Sequence, residues 1–393
     1  MNSDINHSNH LDFIEKELQE REKNNNLRQL NSIYPKDAVT IVKNGKTLIN
    51  FSSNDYLGLS KHPKIITTSQ DYLNQYGTGS TASRLVTGTY DIHEKLEQKL
   101  AKLCNKESAL LFNTGFQANS TIIPALVHKK SLVLCDRLVH NSILQGIFLS
   151  QAQWTRYKHN DLGHLDRLLK KAISQGYNRI LIVTETVFSM EGDRSDVDAL
   201  IKLSQQYNTL LYLDDAHSLG IMGEKGMGLT AYKSGIDISL GTFGKAFGSF
   251  GAFITASKLM CDYLINCCPG FIYTTALPPA VIGSINAALD IITTLDKDRT
   301  YLLQQVDYLQ NKLRNLGYQV INSSSPIIPV IIGDEKKALN LSQFLENNGI
   351  LATAIRPPTV PKNTARIRFV LSSKHQPDQI NYLIHLLRKY HES

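Results

Sequence analysis

The sequence predicts an α/β protein, with a large domain on a mostly parallel sheet followed by a smaller α+β unit. Two observations carry this. Short apolar runs of strand length recur at 109–112, 132–135, 180–183, 210–213, 238–240 and 252–255, with amphipathic helical stretches between several of them. Strands alternating with helices favour parallel pairing, because a crossover helix returns the chain to the same sheet end. The pattern then changes after about residue 295, where strands and helices mix without that alternation. The 393 residues suffice for at least one domain with a full core.

Residues 1–23 lack the apolar core of a signal peptide, and Leu11, Ile14 and Leu18 recur at helical spacing among charges. We read 1–49 as an amphipathic N-terminal arm, 50–290 as the large domain and 291–393 as the small C-terminal domain. Within the large domain, the stretch 93–104 places Leu96, Leu100 and Leu103 on one helical face. The small domain opens with a polar helix at 297–316. Strands follow at 318–321 and 327–332, then a helix at 337–347, strands at 351–355 and 367–371, and a last helix from Pro377.

Composition narrows the function. Hydrophobic residues make up 42% and charged residues 20%, ordinary values for a globular chain. The net charge of +7 is scattered, without the basic runs of a nucleic-acid-binding protein, and suits an acidic small ligand or carrier protein. No apolar run reaches the ~18 residues of a membrane span. Cys104, Cys135, Cys261, Cys267 and Cys268 are odd in number and form no C-x-x-C pair. Free thiols in a reducing cytoplasm are the simplest reading, and no metal site is expected.

Several motif matches fail on context. Gly77-Thr78-Gly79-Ser80-Thr81-Ala82 fits the loose dinucleotide pattern but follows a polar helical stretch, not a strand. Gly244-Lys245 lacks the Ser/Thr of a phosphate loop, and no G-x-S-x-G elbow exists. One constellation survives. Asp214-Asp215-Ala216-His217 ends one predicted strand, and Lys245 sits among glycines after another, beside Thr242. Asn113-Thr114-Gly115-Phe116 follows a third strand and opens a helix, whose free N–H groups can hold a phosphate. A carboxylate, a lysine and a phosphate cradle at three strand ends are the parts of a pyridoxal phosphate (PLP) site. Each alone has a commoner explanation: a capping Asp, a solvated Lys, a turn that only turns. Their order together is far less accidental.

With these residues in view, the sequence resembles the α-oxoamine synthases, PLP-dependent enzymes of fold type I. The resemblance runs from about Asn50 to the C-terminus. It rests on Phe51-Ser52-Ser53-Asn54-Asp55-Tyr56-Leu57-Gly58-Leu59, then Thr184-Glu185-Thr186-Val187-Phe188-Ser189-Met190-Glu191-Gly192-Asp193, Asp214 to His217, and Thr242-Phe243-Gly244-Lys245. Arg356-Pro357-Pro358-Thr359-Val360-Pro361, followed by Arg366-Ile367-Arg368, is most similar to the branch that condenses L-alanine with a pimeloyl thioester in biotin synthesis. The chain departs from many members at Thr81-Ala82, where they carry Gly-Gly, and at Ser218-Leu219 after His217.

The resemblance implies a fold type I transferase with a seven-stranded, mostly parallel sheet. It implies that Lys245 holds PLP covalently and moves the α proton, Asp214 keeps the pyridine nitrogen protonated, His140 stacks on the ring, and His217 and Ser189 or a neighbour meet the phenolic oxygen. Gly115, Phe116 and Thr242 would hold the phosphate side, with Thr274 or Thr275 reaching across a homodimer. Arg368 would grip the amino-acid carboxylate, and Thr359, Arg28 and Arg356 the rest of the substrate. The acyl donor would ride on coenzyme A or an acyl carrier protein. The residues alone also allow His140 as a capping histidine, and Arg366 and Arg368 as exposed arginines on an edge strand. Two other readings stay open: a sibling acting on another amino acid, such as a glycine-using ligase or an aminoketone autoinducer synthase, or a non-catalytic partner subunit. Lys245 argues against the last.

Overall fold

The computed structural model describes residues 10–392; residues 1–9 of the arm, and Ser393, lie outside the described residues. The strands run, in chain order, β1 (Tyr34–Pro35), β2 (Thr40–Lys43), β3 (Lys46–Asn50), β4 (Ser108–Phe112), β5 (Ser131–Asp136), β6 (Gln153–Tyr157), β7 (Arg179–Glu185), β8 (Leu210–Asp214), β9 (Ile238–Thr242), β10 (Ala252–Ala256), β11 (Gln319–Val320), β12 (Ile327–Gly333), β13 (Ile350–Leu351), β14 (Thr353–Ile355) and β15 (Ala365–Val370). They form a seven-stranded sheet, β4-β10-β9-β8-β7-β5-β6, and two four-stranded sheets, β1-β2-β3-β13 and β11-β12-β15-β14.

In the large sheet β6, β5, β7, β8 and β9 pair in parallel, and β10 runs antiparallel between β9 and β4. Alternation sorts its side chains onto two covered faces. Val133, Leu181, Val183 and Tyr212 pack with Ala118, Ile122, Ile143 and Leu264 from the helices Gly115–Leu126, Asn141–Ser150 and Lys258–Cys267. Leu132, Leu134, Ile182, Leu211 and Leu213 pack with Leu165, Leu169, Val197 and Leu200 from Leu162–Ile173 and Val197–Gln206. Each such buried leucine or isoleucine contributes roughly 1.5–3 kcal/mol of transfer free energy. Six strands match the apolar runs of the sequence. The seventh, β6, is an edge strand with four exposed residues, so no apolar run announces it.

A third apolar cluster runs from Phe51 and Tyr56 through the helices Asp91–Cys104 and Pro279–Ile292 to Leu383 and Leu387 of the last helix. The C-terminal elements therefore share a core with the segment that follows β3. β3 itself pairs in parallel with β13, and Lys43 forms a 2.8 Å ion pair with Glu346. The run 351–355, read as one strand, is split. Leu351 joins β3, Thr353 to Ile355 join β15, and buried Ala352 marks the change of sheet. No helix among the described residues is long and apolar enough to cross a membrane.

Candidate active site

The carboxyl ends of β5, β7, β8 and β9 open on one side of the large sheet, as does the end of β4. Ligands bind at such ends, where loops leave room and helices begin. Here a cleft of about 400 Å³ is lined by Gly115 and Phe116 after β4, His140 after β5, Glu185 and Ser189 from β7 and its loop, Asp214 and His217 from the end of β8 and its loop, and Thr242 and Lys245 from the end of β9 and its loop. Arg368 of β15 and Asn54, from the segment after β3, complete the lining.

Asp214 is buried and fully partnered: Asn119 Nδ2 donates to Oδ2 at 2.8 Å and the Ala216 amide to Oδ1 at 3.1 Å. Asn119 is itself held, donating to Ser142 Oγ at 3.0 Å and accepting from the Tyr212 hydroxyl at 2.7 Å. Donors to a carboxylate favour its charged form. Asp215 points the other way. It accepts from Thr186 Oγ1, Ser218 Oγ and both the amide and hydroxyl of Thr230, away from the cleft.

The hydroxyl of buried Tyr56 and His217 Nδ1 share a hydrogen bond of 2.7 Å, and burial pushes the phenol up to about 12. Burial, with the charges of Lys245 and Arg368, holds His217 well below the usual histidine range. The ring is therefore neutral, with Nδ1 engaged by Tyr56 and Nε2 left for another partner. Lys245 is half-buried, and its Nζ has no hydrogen-bond partner among the described residues, while its carbonyl accepts from the Gly248 amide at 2.9 Å. Burial lowers its pKa, against the opposing pull of Asp214 and Glu185. Burial lowers that of His140 too, whose Nδ1 lies 2.7 Å from Ser142 Oγ at the start of the helix Asn141–Ser150. His140 thus both caps a helix and lines the cleft.

The phosphate cradle passes a direct test. Thr114 caps the helix Gly115–Leu126, accepting from the Gln117 amide at 3.0 Å. A Cβ at Gly115 would stand 2.7 Å from Thr242 Cγ2, so a side chain there would displace the threonine. Thr242 Oγ1 is buried with no partner among the described residues. An orphaned hydroxyl beside a helix start that only glycine permits fits a phosphate group.

β15 is interior to its sheet, which corrects the edge-strand alternative for Arg366 and Arg368; both are buried. Arg366 pairs with Glu191 at 3.0 Å and donates to Met190 O. Arg368 donates from Nε to Ser189 O at 2.7 Å and from Nη2 to Asn54 Oδ1 at 3.1 Å. Arg368 also lines the cleft, where a guanidinium's fork of donors suits an anion.

The remaining candidates lie outside the cleft lining. Thr274 Oγ1 accepts from Asn113 Nδ2 at 2.9 Å. Thr275 is exposed, and its carbonyl accepts from the same amide. Exposed Arg28 donates to Thr359 Oγ1 at 3.1 Å, and Arg356 donates to Asn25 O. Burial and the charge of Arg28 lower the pKa of Arg356, so two guanidinium groups share this corner. Sequence reasoning missed Glu185, Asn54, Asn119 and Tyr56. Glu185, Asn54 and Tyr56 stood inside quoted motifs, and Glu185 ends an apolar run just as Asp214 does.

The fold and this cleft define a class: the family model for aminotransferase class I and II matches residues 46–387, and the chain belongs to that family. It is 43% identical over 382 residues to 8-amino-7-oxononanoate synthase of Gluconacetobacter diazotrophicus, covering 95% of this chain and 96% of that one. A serine palmitoyltransferase structure solved with PLP superposes with a TM-score of 0.89 at 26% identity, covering 96% of each chain. The crystal structure of 8-amino-7-oxononanoate synthase from Francisella tularensis gives 0.76 at 30% identity, covering 88% of this chain and 98% of that one.

Proposed function

We propose that this protein is a PLP-dependent acyltransferase that joins L-alanine to a pimeloyl thioester. A bond forms between the alanine α carbon and the thioester carbonyl, the C–S and Cα–carboxylate bonds break, and 8-amino-7-oxononanoate, CO₂ and the thiol are released. The observation that carries the chemistry is Lys245 at the end of β9, facing partnered Asp214 in a cleft that also holds a phosphate-sized cradle. The identity to a relative named for this product supports the substrates.

PLP would supply an electron-withdrawing ring that makes bonds at the amino acid's α carbon breakable. Lys245 Nζ would hold it covalently and later remove and return the α proton; its burial eases proton loss. Asp214 would offer its charged oxygen to the ring nitrogen. His217 would donate from Nε2 to the phenolic oxygen, since Nδ1 is engaged by Tyr56. His140 would cover the ring face. Arg368, steadied by Ser189 and Asn54, would bind the alanine carboxylate. Arg28, Arg356 and Thr359 would read the distal acid of the donor.

The working form is a homodimer in this reading. Leu85, Val86, Phe116, Phe250 and Tyr273 are exposed apolar side chains, and Tyr273 adjoins the threonines assigned to the partner's phosphate. The domain division at about 290 and a cytoplasmic setting complete the proposal. The test is a product assay with carboxyl-labelled amino acids and pimeloyl-coenzyme A or pimeloyl carrier protein. Labelled CO₂ from alanine, and far less from glycine or serine, supports the reading; release from serine alone would reject it.

A further inference from the structure

Glu185 lines the cleft, yet nothing above uses it. It is the register partner of Asp214 on the neighbouring parallel strand. Register partners in a parallel pair point to the same face, so the two carboxyl groups lie side by side. The flanking residues agree: Thr186 and Asp215 meet on the opposite face. Glu185 is 3% exposed, and its Oε1 is buried without a partner among the described residues. The His140 backbone amide reaches its carboxyl group. Two adjacent buried carboxylates cannot both ionise cheaply. Asp214 has Asn119 and the Ala216 amide on its two oxygens; Glu185 leaves one oxygen bare. The proton therefore belongs on Glu185.

We infer that Glu185 is a neutral carboxylic acid in the working site, and that it and Asp214 together present a single negative charge to Lys245. The inference rests on reading the cleft as a PLP site. Its consequence concerns the lysine. A second carboxylate beside Lys245 would hold the ammonium in its charged form, and a charged ammonium cannot bond the cofactor or take a proton. The groups facing Glu185 are Asp214, Lys245, Glu191 and the His140 amide, and burial together with Asp214 pushes its pKa well up. Glu185 is thus a positioning residue for the charge state of Lys245.

The test has two arms on the full-length chain. In the first, carboxyl-¹³C-glutamate NMR without PLP follows the wild type, with Glu191→Gln identifying the neighbouring glutamate and Glu185→Gln removing the signal. A Glu185 signal at the protonated position at pH 7 is expected; an ionised one overturns the inference whether or not PLP binds. In the second, PLP affinity is read by absorbance against pH. Wild-type affinity should weaken as alkali ionises Glu185, and Glu185→Gln should abolish that weakening. At pH 7 Glu185→Gln should stay within about threefold of wild type, while Glu185→Ala loses about tenfold or more. If Gln were as damaging as Ala, the neutral-acid assignment would be wrong. A chain that binds no PLP but carries a protonated Glu185 would sink the proposed function and leave this assignment standing.

Discussion

Replacing His159 by Gln tests a charged strut beneath the site. His159 Nδ1 lies 3.0 Å from Asp136 Oδ1 and Nε2 lies 2.9 Å from Asp193 Oδ2, with the ring edge-on to Phe188. Asp136 also accepts from the Leu138 amide at 2.8 Å, two residues before His140, while Asp193 belongs to the loop that carries Ser189. Burial opposes a charge here, but hydrogen bonds to the two carboxylates outweigh it and raise His159 to about 10. From an ordinary 6.5, at 1.36 kcal/mol per tenfold in proton affinity, the ceiling is about 5 kcal/mol. The ring is 20% and Asp193 27% exposed, so solvent screening brings this to about 2–3 kcal/mol. Because the folded pKa is raised, this stabilisation is complete below about pH 6.5 and is lost as pH rises through about 10. Urea unfolding of wild type and His159→Gln at several pH values measures the difference. It should be about 2–3 kcal/mol at pH 6 and shrink towards pH 10. Parallel pH profiles for the two chains, or a His159 ring that titrates near 6.5 by NMR, would refute the reasoning.

Three further outcomes follow from the cleft. Arg368→Lys should raise the KM for alanine about ten- to a hundredfold, because one charge-assisted pair is worth roughly 1.5–3 kcal/mol; steady-state kinetics with varied alanine decides it. Asp214→Asn should abolish turnover and alter the PLP absorbance, whereas Asp215→Asn should chiefly lower the melting temperature, since its partners Thr186, Ser218 and Thr230 are structural; the reverse ranking counts against the assignment. Arg356→Ala should raise the KM for a pimeloyl thioester about tenfold more than for a heptanoyl thioester, and equal losses on both donors would make Arg356 structural.

The buried strands were legible because strands covered on both faces read as unbroken apolar runs, and they placed Asp214, His217 and Lys245 at strand ends. Where exposure dilutes the pattern it failed: β6 exposes four of its five residues, and the break at Ala352 depends on which sheet each half joins. Site residues were legible where their chemistry is unusual for the position, as with a lysine among glycines. Glu185 was harder. An acid ending an apolar run looks like a cap until the register sets it beside Asp214. Tyr56 and Asn119 act through contacts across 161 and 95 positions of chain, which no local pattern encodes. The alternatives for Arg366 and Arg368 closed only when β15 proved interior.

The central claim is that Lys245 is the residue to which PLP is attached. Borohydride reduction of the PLP-loaded protein, followed by peptide mapping, tests it most directly. The account predicts a reduced adduct on Lys245 alone, lost in Lys245→Ala together with all turnover. An adduct on any other lysine, or full activity in Lys245→Ala, would contradict it.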